Sequence, residues 1–280
     1  MQRLKDYNKT LPILEIYTAI QSEGSRAGYP TIVIRTTGCT HRCYFGEGGW
    51  CDSWYTSIHP EKGMYCFNDI IKIYEENPHI TEMMITGGSP TMHPILLNEL
   101  THFAYANKIF TTIETEGSHF IATDYPINLL SISPKFNNSI PVVGAKTPLG
   151  NVVDERMVKQ HNKFRMNVEA IADSMLFHKD FHIKPVMDKD LYVLDEVELF
   201  LEVLAHKLVE KNYGASAWTG PVDILDARKI LKLKTWCMPA GDDRESLMES
   251  YGPVMNMCRD KGYKFTGREH IIAFNTERCV

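Results

Sequence analysis

No run of apolar residues in this chain is long enough to span a bilayer. The N-terminal MQRLKDYNKTLPILEIYTAI also lacks the charged start, continuous apolar stretch and small-residue cleavage site of a secretion signal. Together these absences predict a soluble, cytoplasmic protein with no membrane partner. No long block of Lys and Arg occurs and the net charge is -5, so the electrostatic footprint of a dedicated nucleic-acid binder is missing too. A small polar substrate is the easier fit. No low-complexity linker divides the chain, and no repeat beyond a strand-helix unit is visible. What the chain does have is length and apolar content: 280 residues at 44% hydrophobic can bury a full core in one large domain.

Cysteine is unevenly spread. Of seven, three crowd into Cys39, Cys43 and Cys51, while Cys66, Cys237, Cys258 and Cys279 are scattered and read as packed or idle thiols. An odd number with a tight cluster points, in a reducing compartment, to metal or redox chemistry and not to a disulfide framework. Three thiolates on one glycine-containing loop can converge on one face of a [4Fe-4S] cluster and leave one iron open to a ligand. The competing reading is zinc held by the same cysteines with His41 or a distant fourth ligand, although structural zinc usually takes two close cysteine pairs. Spacing leans towards iron-sulfur, and the loops at the neighbouring strand ends decide between the two.

Short β-branched runs alternate with helix-period stretches. TIVIR (31–35), MMIT (83–86), FTTIE (110–114) and LLSIS (129–133) predict parallel strands, followed by candidate strands at 181–185, 236–238 and 263–266. Helical spacing is seen around Ile70 to Tyr74 and Ile95 to Phe103, and longer helices are predicted over 194–211 and 244–261. Asn137 to Gly150 is rich in turn formers and reads as a loop or insertion. The alternation predicts an α/β fold, either an open doubly wound sheet or a complete or partial (β/α) barrel. Polar motifs at the ends of four consecutive strands favour the barrel, because parallel α/β folds bind ligands at the carboxyl ends of their strands.

Each of those loops has a chemical reading beside a bland one. Thr86, Gly87, Gly88, Ser89 and Pro90 end the second strand; paired glycines let backbone approach a ligand, though alone they mark only a tight turn. Next to three cysteines they suit the amino and carboxylate ends of S-adenosylmethionine chelating the open iron. Glu114, Thr115, Glu116 and Ser118 close the third strand and could bind ribose or ring nitrogens, or simply cap a turn. Ser133, Pro134 and Lys135 close the fourth and bring a cation to a carboxylate ligand. Arg35, at the end of the first strand, fits a substrate carboxylate or else pairs with Glu15 or Glu23. His270, after the last strand in Arg268-Glu269-His270, could bind substrate or carry a proton, but the chain has 11 histidines.

With these motifs in order, the chain resembles the 7-carboxy-7-deazaguanine synthase family of radical S-adenosylmethionine enzymes. The likeness runs from Glu15 to Lys135 and resumes at Lys184, Met238 to Gly241 and Arg268 to His270. QSEG at Gln21 to Gly24 is similar to the family's glutamine-glycine-glutamate-glycine, and Trp50-Cys51-Asp52-Ser53 to its aromatic-cysteine-aspartate-threonine. TGGSP matches threonine-glycine-glycine-glutamate-proline, ETEGS matches glutamate-threonine-serine-glycine-threonine, and SPK is unchanged. The resemblance implies a shortened, distorted (β/α) barrel and a carbon-nitrogen lyase. The 5'-deoxyadenosyl radical of cleaved S-adenosylmethionine takes a hydrogen from 6-carboxy-5,6,7,8-tetrahydropterin, whose ring contracts with loss of ammonia to 7-carboxy-7-deazaguanine, in queuosine-type deazapurine biosynthesis.

The resemblance also implies roles. Cys39, Cys43 and Cys51 hold the cluster, and Ser53 offers a hydroxyl to a magnesium ion. S-adenosylmethionine is met by Trp50, Asp52, Gly87, Gly88, Glu114, Ser133, Pro134 and Lys135. Substrate is met by Ile20, Gln21, Ser22, Glu23, Arg35, Thr86 and His270. A flavodoxin or ferredoxin reductant and a homodimer are implied as partners. The chain departs from the pattern in three ways: seven residues, not two, separate Cys43 from Cys51; Ser89 replaces a glutamate; and Glu116 replaces a serine. Extra material is expected near residues 137–180 and 214–234 of the single domain 1–280. Two other functions share some of these features: a glycyl-radical activase, and a non-catalytic zinc or iron-sulfur module.

Overall fold

In the computed structural model, which describes residues 2–46, 49–212 and 223–280, the predicted strands line up side by side. β2 (Pro30–Thr36), β3 (Glu82–Gly87), β4 (Phe110–Thr115), β5 (Leu129–Ile132) and β6 (Phe181–Ile183) pair in parallel in that order. Ile32, Val33 and Ile34 are wholly buried, as a parallel strand covered on both faces requires. One strand was not anticipated: β1 (Ile13–Ile20) pairs antiparallel along the outer edge of β2. β7 (Val186–Met187), β8 (Trp236–Pro239) and β9 (Lys264–Phe265) form a second parallel sheet, joined to the first by a bridge between Ile183 and Thr235. No closed barrel forms among the described residues, and the fold is the partial, distorted (β/α) barrel expected.

Helices fill the connections: α1 (Trp54–Ser57), α2 (Phe67–Glu76), α3 (Pro94–Ala106), α4 (Glu155–Phe164), α5 (Val168–Phe177), α6 (Leu194–Asn212), α7 (Ile224–Leu233), α8 (Arg244–Lys261) and α9 (Glu269–Phe274). Phe67 and Ile70 of α2 and Leu97 and Leu100 of α3 join Ile32, Ile34, Met83 and Ile85 in one core. The predicted bounds of α8 hold because its caps are explicit. Asp243 accepts from the Ser246 amide at 2.8 Å, and Gly262 turns left-handed at φ 75°. α4 and α5 occupy part of the stretch read as extra material, started by Asp154 and Asn167, whose side chains accept from Met157 and Ala170. Of the other such stretch, α7 is described and residues 214–222 lie outside the described residues. Among the described residues no helix is long and apolar enough to cross a membrane.

Register decides what reaches the site. Glu15 stands opposite Arg35, Arg35 opposite Thr86, Glu114 opposite Ser131, and Ser131 opposite His182. Thr86 donates to Glu114 at 3.2 Å, which closes the gap between β3 and β4 in this row. One transverse row of polar side chains therefore crosses six strands. The loop from Gln21 to Tyr29 crosses the same face: Gln21 touches Met84 of β3, Ser25 touches His182 of β6, and the Gly24 amide donates to Thr266 beyond β9. QSEG thus joins the site from within the sheet's face and not from the cysteine side.

The paired glycines serve the backbone first. Gly87 has φ 126°, and a Cβ there would strike the Thr36 backbone; a Cβ on Gly88 would strike the Gly38 carbonyl. The close approach lets the Gly88 amide donate to Thr36 at 3.1 Å and the Ser89 amide to Gly38 at 2.7 Å, locking the end of β3 onto the start of the cysteine loop. Gly28, with φ 93° and nothing near its missing Cβ, separates strain from crowding. Gly28→Ala is expected to cost roughly 1–2 kcal/mol of stability, and Gly87→Ala distinctly more because the Thr36 backbone must also move. Denaturant unfolding of the two metal-free variants measures the difference.

Candidate active site

A cavity of about 540 Å³ opens where β2 to β5 end, walled by the cysteine loop on one side and the loop at 20–23 on another. Cys39, Cys43 and Cys51 all line it, with no disulfide among them. The described ends of the long interval between Cys43 and Cys51 pair antiparallel with each other. Tyr44 bridges to Trp50, the Phe45 amide donates to Gly49 at 2.8 Å, and the Cys51 amide donates to Cys43 at 3.1 Å. That last bond holds Cys51 beside Cys43, and lengthening the loop it closes costs only slowly growing entropy.

The chemistry of the three thiols fits a polynuclear metal group. Burial pushes Cys39 and Cys51 well above the ordinary thiol range and Cys43 up to about 11, so thiolates here need a compensating cation. Among the described residues no three His, Cys, Asp or Glu side chains converge closely enough to hold one metal ion. Cys39, Cys43 and Cys51 face one cavity, as the ligands of one polynuclear group would have to.

Buried charge lines the opposite wall. The Lys184 ammonium donates to Glu114 at 2.8 Å and to Glu23, and the Arg268 guanidinium donates to Glu23 at 3.3 Å, to Asp52 and to the Gly241 carbonyl. Burial alone would raise the Glu23 carboxyl, but Lys184 and Arg268 outweigh it and hold that carboxyl below its usual range. Asp52 is likewise lowered against burial, chiefly by Arg268. His270 lines the cavity beside this chain of charges, and burial lowers its pKa, which keeps the imidazole neutral.

At the cavity's β1 side, Arg35 donates to Glu15 at 2.5 Å, to the Tyr17 hydroxyl at 2.8 Å and to Ser53 Oγ at 3.2 Å. The alternative partner of Arg35, Glu15, is thus the one it takes. Arg278 shares Glu15 and lies over the Tyr55 ring at 3.6 Å, so residues 275–280 also wall the cavity. Gln21 is turned inward onto Met84, Ile20 stands at the exposed edge, and Ser22 lines the cavity with them. Trp50, Gly87, Gly88, Ser133 and Lys135 line it as well, with Lys135 donating to Ser133 at 2.8 Å. Pro134 is buried behind the wall and is the one predicted site residue that does not line it.

Among the wall residues left without a role by the sequence are Tyr17 and Lys184, while Arg268 was named only as part of the motif that ends in His270. Lys184 and Arg268 obey the same strand-end rule that singled out Lys135, since they follow β6 and β9 closely. Tyr17 lay on the unanticipated β1. Lys184→Met would leave Glu23 and Glu114 facing each other in a buried site, and a loss of roughly 3–5 kcal/mol of stability is expected. Thermal unfolding of metal-free protein, compared with a Lys62→Met surface control, reads it.

No protein-family model matches the chain. The 7-carboxy-7-deazaguanine synthase of Halobacterium salinarum is 30% identical to it over 271 residues, covering 95% of this chain and 91% of that one. The synthase of Rhodopirellula baltica is 28% identical over 225 residues, covering 77% and 81%. That of Bacillus subtilis is 32% identical over 136 residues, covering 45% and 52%. A crystal structure of QueE from Escherichia coli shares the fold, with a TM-score of 0.50 at 18% identity over 91% of this chain and 92% of that one. No relative reported among these is an activase or a bare metal-binding module. Kinship along nearly the whole of both chains, with the motifs in the same order, makes this chain a member of the 7-carboxy-7-deazaguanine synthase family.

Proposed function

We infer that this chain is a radical S-adenosylmethionine carbon-nitrogen lyase that converts 6-carboxy-5,6,7,8-tetrahydropterin to 7-carboxy-7-deazaguanine, with loss of ammonia, in queuosine-type deazapurine biosynthesis. The observation that carries it is the meeting, in one cavity, of the Cys39, Cys43 and Cys51 thiols with Gly88, Lys135 and Arg35. The three thiols would hold a [4Fe-4S] cluster, and Gly87, Gly88, Ser133 and Lys135 would receive S-adenosylmethionine. When bound, that pair of groups supplies the 5'-deoxyadenosyl radical that takes hydrogen from the substrate.

The chain's own residues do the rest. Arg35 uses three of its five N–H donors on Glu15, Tyr17 and Ser53, which fixes the guanidinium plane and leaves donors for a substrate carboxylate. Ser53 offers a hydroxyl oxygen beside the Asp52 carboxylate, a donor pair suited to magnesium, though a cation there would share or displace the Arg35 contact. Gln21, Thr86 and the neutral His270 supply hydrogen bonds for a flat heterocycle with polar edges. Trp50 and Asp52 border the cysteine loop, where Asp52 is oriented by Arg268. A flavodoxin or ferredoxin would provide the electron, and the working form would be a homodimer in the cytoplasm; both follow from the family resemblance.

Protein reconstituted anaerobically with iron and sulfide, then reduced and given S-adenosylmethionine and the carboxypterin, is expected to form 7-carboxy-7-deazaguanine. A fully loaded cluster that yields none, as read by mass spectrometry, rejects this substrate. Arg35→Lys keeps the charge but loses the planar fork. It is expected to raise KM for the carboxypterin by roughly tenfold or more, with S-adenosylmethionine affinity little changed.

A further inference from the structure

Ser89 and Glu116, the two positions at which this chain departs from the family's polar pattern, touch each other. Ser89 Oγ donates to Glu116 Oε1 at 2.6 Å, from the turn after β3 to the end of β4. Both are buried, at 0% and 5% exposure. Against the pattern that the chain resembles, the carboxylate and the hydroxyl stand in exchanged places, Ser89 after β3 and Glu116 after β4. A position-by-position comparison registers two losses. The contact registers one exchange.

The exchange leaves a carboxylate oxygen in need of a partner. Oε1 is served by Ser89, and Thr40 Oγ1 stands 3.4 Å away. Oε2 is buried and has no hydrogen-bond partner. A carboxyl oxygen enclosed in this way needs a hydrogen-bond donor or a cation. Glu116 lines the cavity beside Gly88 and the cysteine loop, and His41, its nearest ring neighbour at 4.0 Å, also has an unpartnered nitrogen. Lys135, of opposite charge, lines the same cavity. One anion and one cation bordering a three-cysteine loop match the two ends of an amino acid, an ammonium and a carboxylate.

We propose that Glu116 is the anion that receives the α-ammonium of S-adenosylmethionine, presented from β4 and held in aim by Ser89. The inference rests on the cofactor reading above. Glu116 is a binding residue in this scheme, and Ser89 positions it.

The test uses cluster-loaded protein, matched for iron and sulfide content, and titrates S-adenosylmethionine against the electron paramagnetic resonance signal of the reduced cluster. Glu116→Gln is expected to weaken binding roughly 10- to 100-fold. Restoring the family arrangement with Ser89→Glu and Glu116→Ser together should bring affinity back to within a few-fold of the parent. Parent protein that binds S-adenosylmethionine while Glu116→Gln binds it equally well overturns the inference and leaves the cofactor reading intact. A double variant no better than Glu116→Ser alone also overturns it. Parent protein that loads a cluster but shows no spectral response to S-adenosylmethionine overturns both.

Discussion

Two buried cations shared among three carboxylates tie the site together. Lys184 and Arg268, whose side chains are 4% and 8% exposed, join Glu114, Glu23 and Asp52 into one chain of ion pairs. These residues come from β4, the loop at 21–29, the segments after β6 and β9, and the cysteine loop, so the chain spans nearly every element that walls the cavity. Such pairs are costly to desolvate, and well-packed apolar side chains would hold a wall together as firmly. Their place along a ligand cavity is therefore better explained by what binds there. Asp52 is the hinge between the two roles, since it neighbours Cys51 and is turned by Arg268.

The parallel strands were legible because strands buried on both faces read as unbroken β-branched runs, and TIVIR, MMIT and LLSI are such runs. The ends of α8 were legible from Asp243 and Gly262. β1 was not. As an edge strand it mixes buried Ile13 and Leu14 with half-exposed Tyr17 and exposed Ile20, and no short turn links it to β2. With β1 hidden, the sequence could raise Glu15 as a partner for Arg35 only as an alternative, and could not raise Tyr17 at all. α4 escaped for a different reason: its inner face is only Met157, Val158, His161 and Phe164, of which His161 alone is buried, and the rest of the helix is polar.

The glycine pair shows how a correct motif can have an incomplete explanation. Gly87 and Gly88 do face the cavity, but their missing side chains are demanded by the Thr36 and Gly38 backbones. Ligand approach and backbone approach are both satisfied by the same absence of Cβ atoms. The close packing also sets the height of the cysteine loop above β3, because the Ser89 amide donates to the Gly38 carbonyl. Loop position is thus inherited from the sheet.

The departures from the family pattern obey two different physical rules. The longer interval between Cys43 and Cys51 is tolerated because its ends are pinned by a backbone bond, and extra residues beyond a pinned pair add little entropy cost. The Ser89 and Glu116 exchange is tolerated because the two side chains meet, so either strand can supply the carboxylate to the same point. A buried carboxylate must be answered wherever it arises. The contact with Ser89 thus joins two departures that the motif comparison registers separately.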